Sequence, residues 1–185
     1  MTDAHMGGAA PALLSGTGLA ATAYNRLATL FARVGHRPSP GQWEAIVDLL
    51  RHLADTANGD VADAVYVSPI PAGTGKSTSL QAFASALCDD PDYADVGMVI
   101  LCNRVTECHD MAEKLNEYRD KLCVIVGEKH PETRAMGNHA EADKAQIVVA
   151  TQASLKATLR TVGGFNAAAR YHYLGRRRAV VSKRS

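Results

Sequence analysis

The amino-acid sequence predicts an α/β fold, built on a mainly parallel sheet with helices between its strands. Short apolar runs without polar alternation recur along the chain, which is typical of parallel strands covered on both faces. Between them lie stretches whose apolar residues repeat at helical spacing. The length of 185 residues, with 46% hydrophobic and 21% charged residues, is sufficient for one globular domain with its own core.

The chain is predicted to begin with a flexible terminus followed by two helices. Residues 1–18 are rich in Gly, Ala and Pro, so we expect them to be mobile. A helix over 19–34 is followed by Gly35, a common stop signal. The second helix begins at Ser39 and Pro40, an N-cap residue followed by a proline in the first turn. Their apolar faces consist of Tyr24, Leu27, Leu30, Phe31 and Val34, and of Trp43, Ile46, Val47, Leu50 and Leu53.

The rest of the chain alternates predicted strands with predicted helices. Strands are expected at residues 64–67, 98–102, 122–126 and 147–149, with 179–181 as a candidate fifth strand. Helices are expected at about 76–88, 105–119 and 152–160. The polar stretch 128–144 carries charges of both signs and predicts a surface loop or a short helix.

Composition excludes several classes of protein. No apolar run approaches the roughly 18 residues of a membrane-spanning helix, and the first residues do not form a secretory signal. We therefore expect a cytoplasmic protein with no membrane partner. The four cysteines contain no C-x-x-C pair and predict buried thiols rather than a disulfide framework or a zinc site.

The net charge of +1 conceals an uneven distribution. Residues 170–185 include six Lys/Arg and no Asp/Glu, which leaves 14 Lys/Arg against 19 Asp/Glu in residues 1–169. A short basic tail on a mildly acidic body can contact phosphates, and it can equally serve as a solubilising terminus.

The strongest functional signal is the segment 70–78, IPAGTGKST, which follows the first predicted strand and opens a helix. This is the context that a phosphate-binding loop requires. Gly73 and Gly75 allow backbone conformations that bring N–H groups close to phosphate. The helix that follows directs its free N–H groups and positive dipole end at the same anion. The full G-x-x-x-x-G-K-[ST] pattern has glycine where this chain has Ile70.

Three side chains of this segment have predicted roles in binding ATP and Mg²⁺. Lys76 is the candidate catalytic residue, a positive charge for the β- and γ-phosphates. The hydroxyl of Ser77 is expected to ligate Mg²⁺, and Thr78 is placed to reach the α-phosphate. The predicted nucleotide-binding residues of the loop are Pro71, Ala72, Gly73, Thr74, Gly75, Lys76, Ser77 and Thr78.

Residues 71–77 resemble motif I of superfamily 1 and 2 (DEAD/DEAH-type) helicases and related P-loop ATPases. Two later segments follow the order of that family. Residues 99–107 and the helix after them are similar to motif Ia, which in the family lies against the nucleic-acid backbone. Residues 147–155 resemble the second backbone-contacting motif. The resemblance covers about residues 39–182.

The resemblance implies a three-layer P-loop NTPase (RecA-like) fold and a division of the chain. It places N-terminal helices at 19–60, a partial RecA-like domain at 61–182 and a tail at 183–185. DNA or RNA is the implied partner, together with ATP. The family further implies a second motor domain, which we expect to be missing from this chain.

Four residues outside the loop each have two predicted roles. Gln42 lies where such helicases often carry an adenine-reading glutamine, and it also completes a capping box with Ser39. Asn103 and Arg104 are implied nucleic-acid contacts, or they cap and solvate a helix start. Thr151 is likewise an implied backbone contact or an ordinary N-cap residue.

Hydrolysis requires acids that the sequence does not supply in the expected place. The family carries an Asp-Glu pair at the end of an apolar strand, where it holds the Mg²⁺ shell and orients water. Residues 179–181 are followed only by 182–185, which contain no acid. Glu128 follows another apolar run, but Gly127 intervenes, so a loop carboxylate is the simpler interpretation. We therefore expect a fragment, the first half of a helicase-type ATPase core truncated before this pair.

Three functions are compatible with this pattern. The first is ATP binding, and hydrolysis in the complete protein, by a helicase or translocase acting on nucleic acid. The second is a P-loop module or switch that binds nucleotide without hydrolysing it. The third is a small-molecule P-loop kinase, for which the basic tail offers arginines but no lid pattern.

Overall fold

A computed structural model describes residues 18–61, 73–138, 145–154 and 173–176, the last of these by backbone alone. Several sequence predictions lie outside the described residues. They concern the N-terminus before residue 18, the strands at 64–67 and 179–181, the end of the helix at 152–160, and the tail 183–185.

Two amphipathic helices, α1 (Leu19–Arg33) and α2 (Pro40–Asn58), confirm the predicted N-terminal pair. α1 ends in a Schellman motif, a left-handed turn that satisfies its last carbonyl groups. In this motif Gly35 has a φ of 67°, and the N–H of His36 donates to the carbonyl of Phe31 at 2.9 Å. The predicted stop signal therefore acts through a defined turn, and this turn fixes where His36 lies.

The later elements match most of the predicted ones. They are α3 (Lys76–Asp89), β1 (Val96–Cys102), α4 (Val105–Lys114), β2 (Leu122–Ile125), α5 (Pro131–Arg134), β3 (Ile147–Thr151) and β4 (Tyr173–Arg176). The backbone of residues 152–154 is also helical, and α5 is the short helix within the polar stretch 128–144.

The helix predicted over 105–119 ends early, at Lys114. A single 3₁₀ turn at Asn116–Tyr118 replaces its last part. The tighter turn keeps both Leu115 and Tyr118 buried, with 0% and 8% of their surfaces exposed. The packing of these two side chains against the core thus decides where α4 ends. Helical periodicity in the sequence does not contain this information.

The described strands form one sheet in the order β2-β3-β1-β4. β3 pairs in parallel with both β1 and β2, which confirms an α/β fold with a parallel sheet. β4 adds an antiparallel edge strand beside the first half of β1. The sequence did not predict β4, because Tyr173–Arg176 contains a glycine and an arginine and forms no apolar run.

A single large core joins the N-terminal helices to the sheet. Side chains of α1, α2, α3 and α4 pack together on one face of β1, β2 and β3. Its largest fully buried members include Leu27, Ile46, Leu50, Phe83, Leu87, Met98, Ile100, Leu115, Leu122 and Ile147. A smaller cluster of Cys123, Ile125 and Ala150 lies apart from it, built from the alternate residues of the strands.

Two further sequence predictions concern cysteines and membrane spans. Cys88, Cys102, Cys108 and Cys123 are all buried free thiols, as predicted. Within the described ranges, none of the helices combines the length and the apolar character that crossing a bilayer demands.

Candidate functional site

A left-handed glycine turn leads directly into α3. Gly73 has a φ of 81° and Gly75 a φ of 94°, a region of backbone space that residues with a Cβ rarely adopt. Thr74, between them, is buried with 5% of its surface exposed. Pro71 and Ala72, the other predicted loop residues, lie outside the described residues.

The first turn of α3 presents a set of backbone donors that no helical carbonyl accepts. Gly75 is the N-cap residue, and its carbonyl accepts the first helical hydrogen bond, from the N–H of Ser79 at 2.8 Å. The N–H groups of Lys76, Ser77 and Thr78 therefore have no helical acceptor, and no described side chain caps this end. These donors and the dipole of a 14-residue helix favour an anion here.

The side chains of this turn differ in exposure. Ser77 is exposed, while Lys76 and Thr78 are half-buried at the start of the helix. The turn thus combines one cationic side chain, two hydroxyl groups and three backbone N–H groups. This donor set suits the phosphates of a nucleotide, with Ser77 available to a Mg²⁺ ion that bridges them.

An aromatic cluster from α1, α2 and the turn between them lies against the glycine turn. We use this term for Tyr24, Phe31, His36 and Trp43. The ring of Phe31 is 4.6 Å from that of His36 and 5.5 Å from that of Trp43, measured between centroids. Trp43 in turn lies 5.1 Å from Tyr24. The Phe31 ring also contacts Gly75, so α1 lies directly against the candidate phosphate-binding turn.

Gln42 occupies a capping box at the start of α2. Its Oε1 accepts a hydrogen bond from the N–H of Ser39 at 2.8 Å, and its own N–H donates to the Ser39 hydroxyl at 3.3 Å. The structure thus shows the capping role, and adenine contact stays a prediction. The neighbouring Trp43 contacts Phe31, which places the first turn of α2 on the same side of the molecule as the glycine turn.

Asn103 and Thr151 lie together at the carboxyl edge of the sheet. Cys102 pairs with Thr151 in the β1–β3 register, so the residues that follow them are neighbours. The amide Nε2 of Gln152 donates to Oδ1 of Asn103 at 3.2 Å. The Thr151 hydroxyl accepts from the N–H of Ser154 at 3.2 Å, which is the N-cap role that the sequence left open.

Glu107 organises the loop between β1 and α4. Its carboxylate accepts the N–H of Asn103 at 2.9 Å and the N–H of Arg104 at 3.4 Å. Both Asn103 and Arg104 are exposed. Their helix-start role is therefore visible in the structure, and their exposed side chains leave nucleic-acid contact as a prediction.

The carboxyl edge of the described strands carries no acidic pair. Asn103 follows β1, Gln152 follows β3, and Glu128 is an exposed residue in the turn after the edge strand β2. Across the residues described, no three His, Cys, Asp or Glu side chains converge as a metal site.

Four contributors to this region were not predicted individually as site residues. Phe31 and Trp43 were assigned only to apolar helix faces, and Gln152 and Glu107 were named only within longer segments, 147–155 and 99–107. Nothing local marks Phe31 as a neighbour of a glycine 44 positions later in the chain. Glu107 had a usable signal, because an acid three residues after an N-cap position often reaches back to the backbone.

Comparisons with known proteins found no relative of this chain. No family model matches the chain, and neither curated proteins nor solved structures give a significant match. A function for this chain is therefore proposed from its own residues and geometry.

Proposed function

We propose that this chain binds Mg-ATP at residues 71–78 and forms part of a helicase- or translocase-type motor that acts on DNA or RNA. One observation carries the proposal. The left-handed turn of Gly73 and Gly75 leads without interruption into the N-terminus of α3, and Lys76 and Ser77 are the first two residues of that helix. A glycine-rich turn, a helix N-terminus, a lysine and a hydroxyl are the components that phosphate binding uses.

Each component has a distinct part in the proposed site. The N–H groups of residues 76–78 donate to phosphate oxygens, and the Lys76 ammonium neutralises charge on the β- and γ-phosphates. Ser77, which is exposed, supplies a hydroxyl ligand to Mg²⁺. The RecA-like arrangement belongs to this proposal, and the parallel pairing of β1, β3 and β2 supports its sheet, one face of which the described helices cover.

The proposed nucleic-acid contact lies on the carboxyl edge of the sheet. Asn103, Arg104 and the turn after Thr151 are adjacent there, linked by the hydrogen bond from Gln152 to Asn103. Ligands of open α/β sheets commonly bind at this edge. Exposed amide and guanidinium groups are suited to donate to backbone phosphates, which carry most of the affinity for nucleic acid.

A nucleotide-binding module without hydrolysis is the second candidate. It is favoured by the absence, in the described parts of the chain, of an Asp-Glu pair after any strand. Without a carboxylate to hold the Mg²⁺ shell and orient water, a bound nucleotide would persist. The two candidates share the binding site and differ only in turnover and in response to nucleic acid.

Thermal unfolding with and without Mg-ATP tests the shared binding step. At a ligand concentration of about 100 times Kd, binding stabilises the native state by about 2.7 kcal/mol, which corresponds to several degrees in Tm for a chain of this length. We expect this shift in the wild type and its loss in Lys76→Ala. The matched control is Lys129→Ala, because Lys129 is an exposed lysine in a turn after β2. An equal shift in Lys76→Ala would contradict the proposed site.

ATP turnover with added single-stranded DNA or RNA separates the two candidates. A motor is expected to hydrolyse ATP faster when nucleic acid is bound, and Arg104→Ala is expected to weaken that stimulation, most strongly at raised salt. Binding of Mg-ATP without turnover under any of these conditions would favour the non-hydrolysing module instead.

A further inference from the structure

Gly75 has no room for a side chain. A Cβ at this position would lie 3.0 Å from Cε1 of Phe31 and closer still to Cζ. The other left-handed glycines of the described residues, Gly35, Gly59 and Gly73, have nothing within 4 Å of the same position. The edge of the Phe31 ring therefore rests on the backbone of Gly75, the N-cap residue of α3.

The Phe31 ring is itself held in place. It is buried, with 4% of its surface exposed, between the rings of His36 and Trp43. His36 is positioned by the Schellman motif of α1, and Trp43 follows directly after the capping box of α2. Two well-defined helix ends thus fix the ring that touches Gly75.

α1 also holds the opposite end of α3. Arg26 donates from Nη2 to Oδ2 of Asp89 at 2.5 Å and from Nη1 to the Tyr118 hydroxyl at 3.0 Å. The Tyr118 hydroxyl donates to the same Asp89 oxygen at 2.9 Å. Asp89 is the last residue of α3, so α1 contacts both the first and the last turn of the helix that carries Lys76.

We propose that Phe31 is a positioning residue for the phosphate-binding turn. The inference rests on the proposed function, because the turn it positions is the proposed ATP site. A glycine turn samples many backbone conformations when it is unsupported, and ordering it on binding costs free energy. The ring blocks part of that space at Gly75, so the N–H groups of residues 76–78 are arranged before a nucleotide arrives.

The test compares two identical substitutions in the same core. Phe31→Leu removes the ring at the turn, while Phe83→Leu removes a fully buried ring about 12 Å further along α3. Both variants lose stability. Amide hydrogen exchange and Mg-ATP affinity are then measured at a temperature where circular dichroism shows all the proteins folded.

We expect Phe31→Leu to raise exchange at residues 73–78 and to weaken Mg-ATP binding about tenfold. Phe83→Leu is expected to leave both quantities close to wild type. The inference is overturned if Phe31→Leu keeps wild-type exchange and affinity, if it binds more tightly, or if Phe83→Leu changes both equally.

These outcomes are distinct from failure of the proposed function. If the wild type does not bind Mg-ATP, or binds it independently of Lys76, the proposed function is wrong. The exchange measurement needs no nucleotide, so it still reports whether Phe31 orders the turn in the free protein.

Discussion

Gly75 is constrained twice, by its backbone conformation and by its neighbour. Its φ of 94° lies in the left-handed region, and the Phe31 ring fills the space of a side chain. Gly59, the C-cap residue of α2, shares the left-handed conformation with a φ of 82° but faces open space. Gly59 is thus constrained by its left-handed conformation alone, whereas Gly75 is constrained by that conformation and by a steric contact.

Alanine at these two positions is expected to cost different amounts of stability. Gly59→Ala should lower the free energy of unfolding by about 1–2 kcal/mol, the cost of a left-handed residue with a Cβ. Gly75→Ala should cost a further 1–3 kcal/mol or so, because the Phe31 ring must move. Denaturant unfolding of both variants measures the difference. Equal losses in the free energy of unfolding would show that the Phe31 ring moves aside without cost, which would contradict the steric constraint at Gly75.

The side chain of Gln146 satisfies the carbonyl of Leu87, which receives no helical hydrogen bond within α3. Four residues after Leu87 stands Pro91, which has no N–H to donate. The amide Nε2 of Gln146, a residue with 5% of its surface exposed, donates to the Leu87 carbonyl at 3.2 Å and to the Tyr93 carbonyl at 2.8 Å.

Leucine at position 146 would remove both hydrogen bonds and leave the Leu87 carbonyl without this donor. We expect Gln146→Leu to lower the free energy of unfolding by about 1–3 kcal/mol, the cost of a buried polar group without a partner. Gln81→Leu is the control, since the hydrogen bond from Gln81 to the Lys114 carbonyl is long at 3.5 Å and exposed. If the two variants lose equal stability, the bridging role assigned to Gln146 is wrong.

At the scale of elements, an ion pair joins α1 to the end of α3. Burial alone raises the pKa of the Asp89 carboxyl, but hydrogen bonds from Arg26 and Tyr118 outweigh it and hold the pKa below its ordinary value of 3.8. The pKa of Arg26 is raised, because its hydrogen bonds to Asp89 and Tyr118 outweigh the larger single effect of burial. Both side chains stay partly exposed, at 33% and 49%, so solvent screens the pair.

This pair predicts a specific dependence of stability on pH. Because the pKa of Asp89 is lower in the folded state, its contribution is present above 3.8 and is lost as the pH falls through the folded value. Asp89→Asn should cost less than about 1 kcal/mol near neutral pH. The difference from wild type should shrink below pH 3.8 in acid unfolding experiments. A difference that does not change with pH would contradict the assignment.

Capping residues, stop residues and apolar runs predicted the helices and strands well where long-range packing favours the same structure. Ser39 and Pro40 marked the start of α2, and Gly35 marked the turn after α1. Apolar runs located β1, β2 and β3, because buried parallel strands need few polar residues. The predicted end of α4 was wrong and the antiparallel strand β4 was not predicted, because both depend on long-range packing.

The hydrophobic core brings the N-terminal helices and the glycine turn together. The motif predicted a glycine turn followed by a helix, since both depend on residues within one short segment. It could not predict that Phe31 rests on Gly75, because that contact depends on how α1 packs against α3. The sheet order likewise placed Asn103 beside Gln152, which lie 49 positions apart in the sequence.

Calorimetric titration of Mg-ATP into the purified chain measures binding at the proposed site itself. We expect binding at a single site per chain, with ADP also bound and AMP bound far more weakly, because the turn and Lys76 recognise the phosphates beyond the first. We also expect Lys76→Ala to abolish the heat of binding. A wild type that gives no binding heat, or a Lys76→Ala variant that binds as the wild type does, would show that residues 71–78 are not an ATP site.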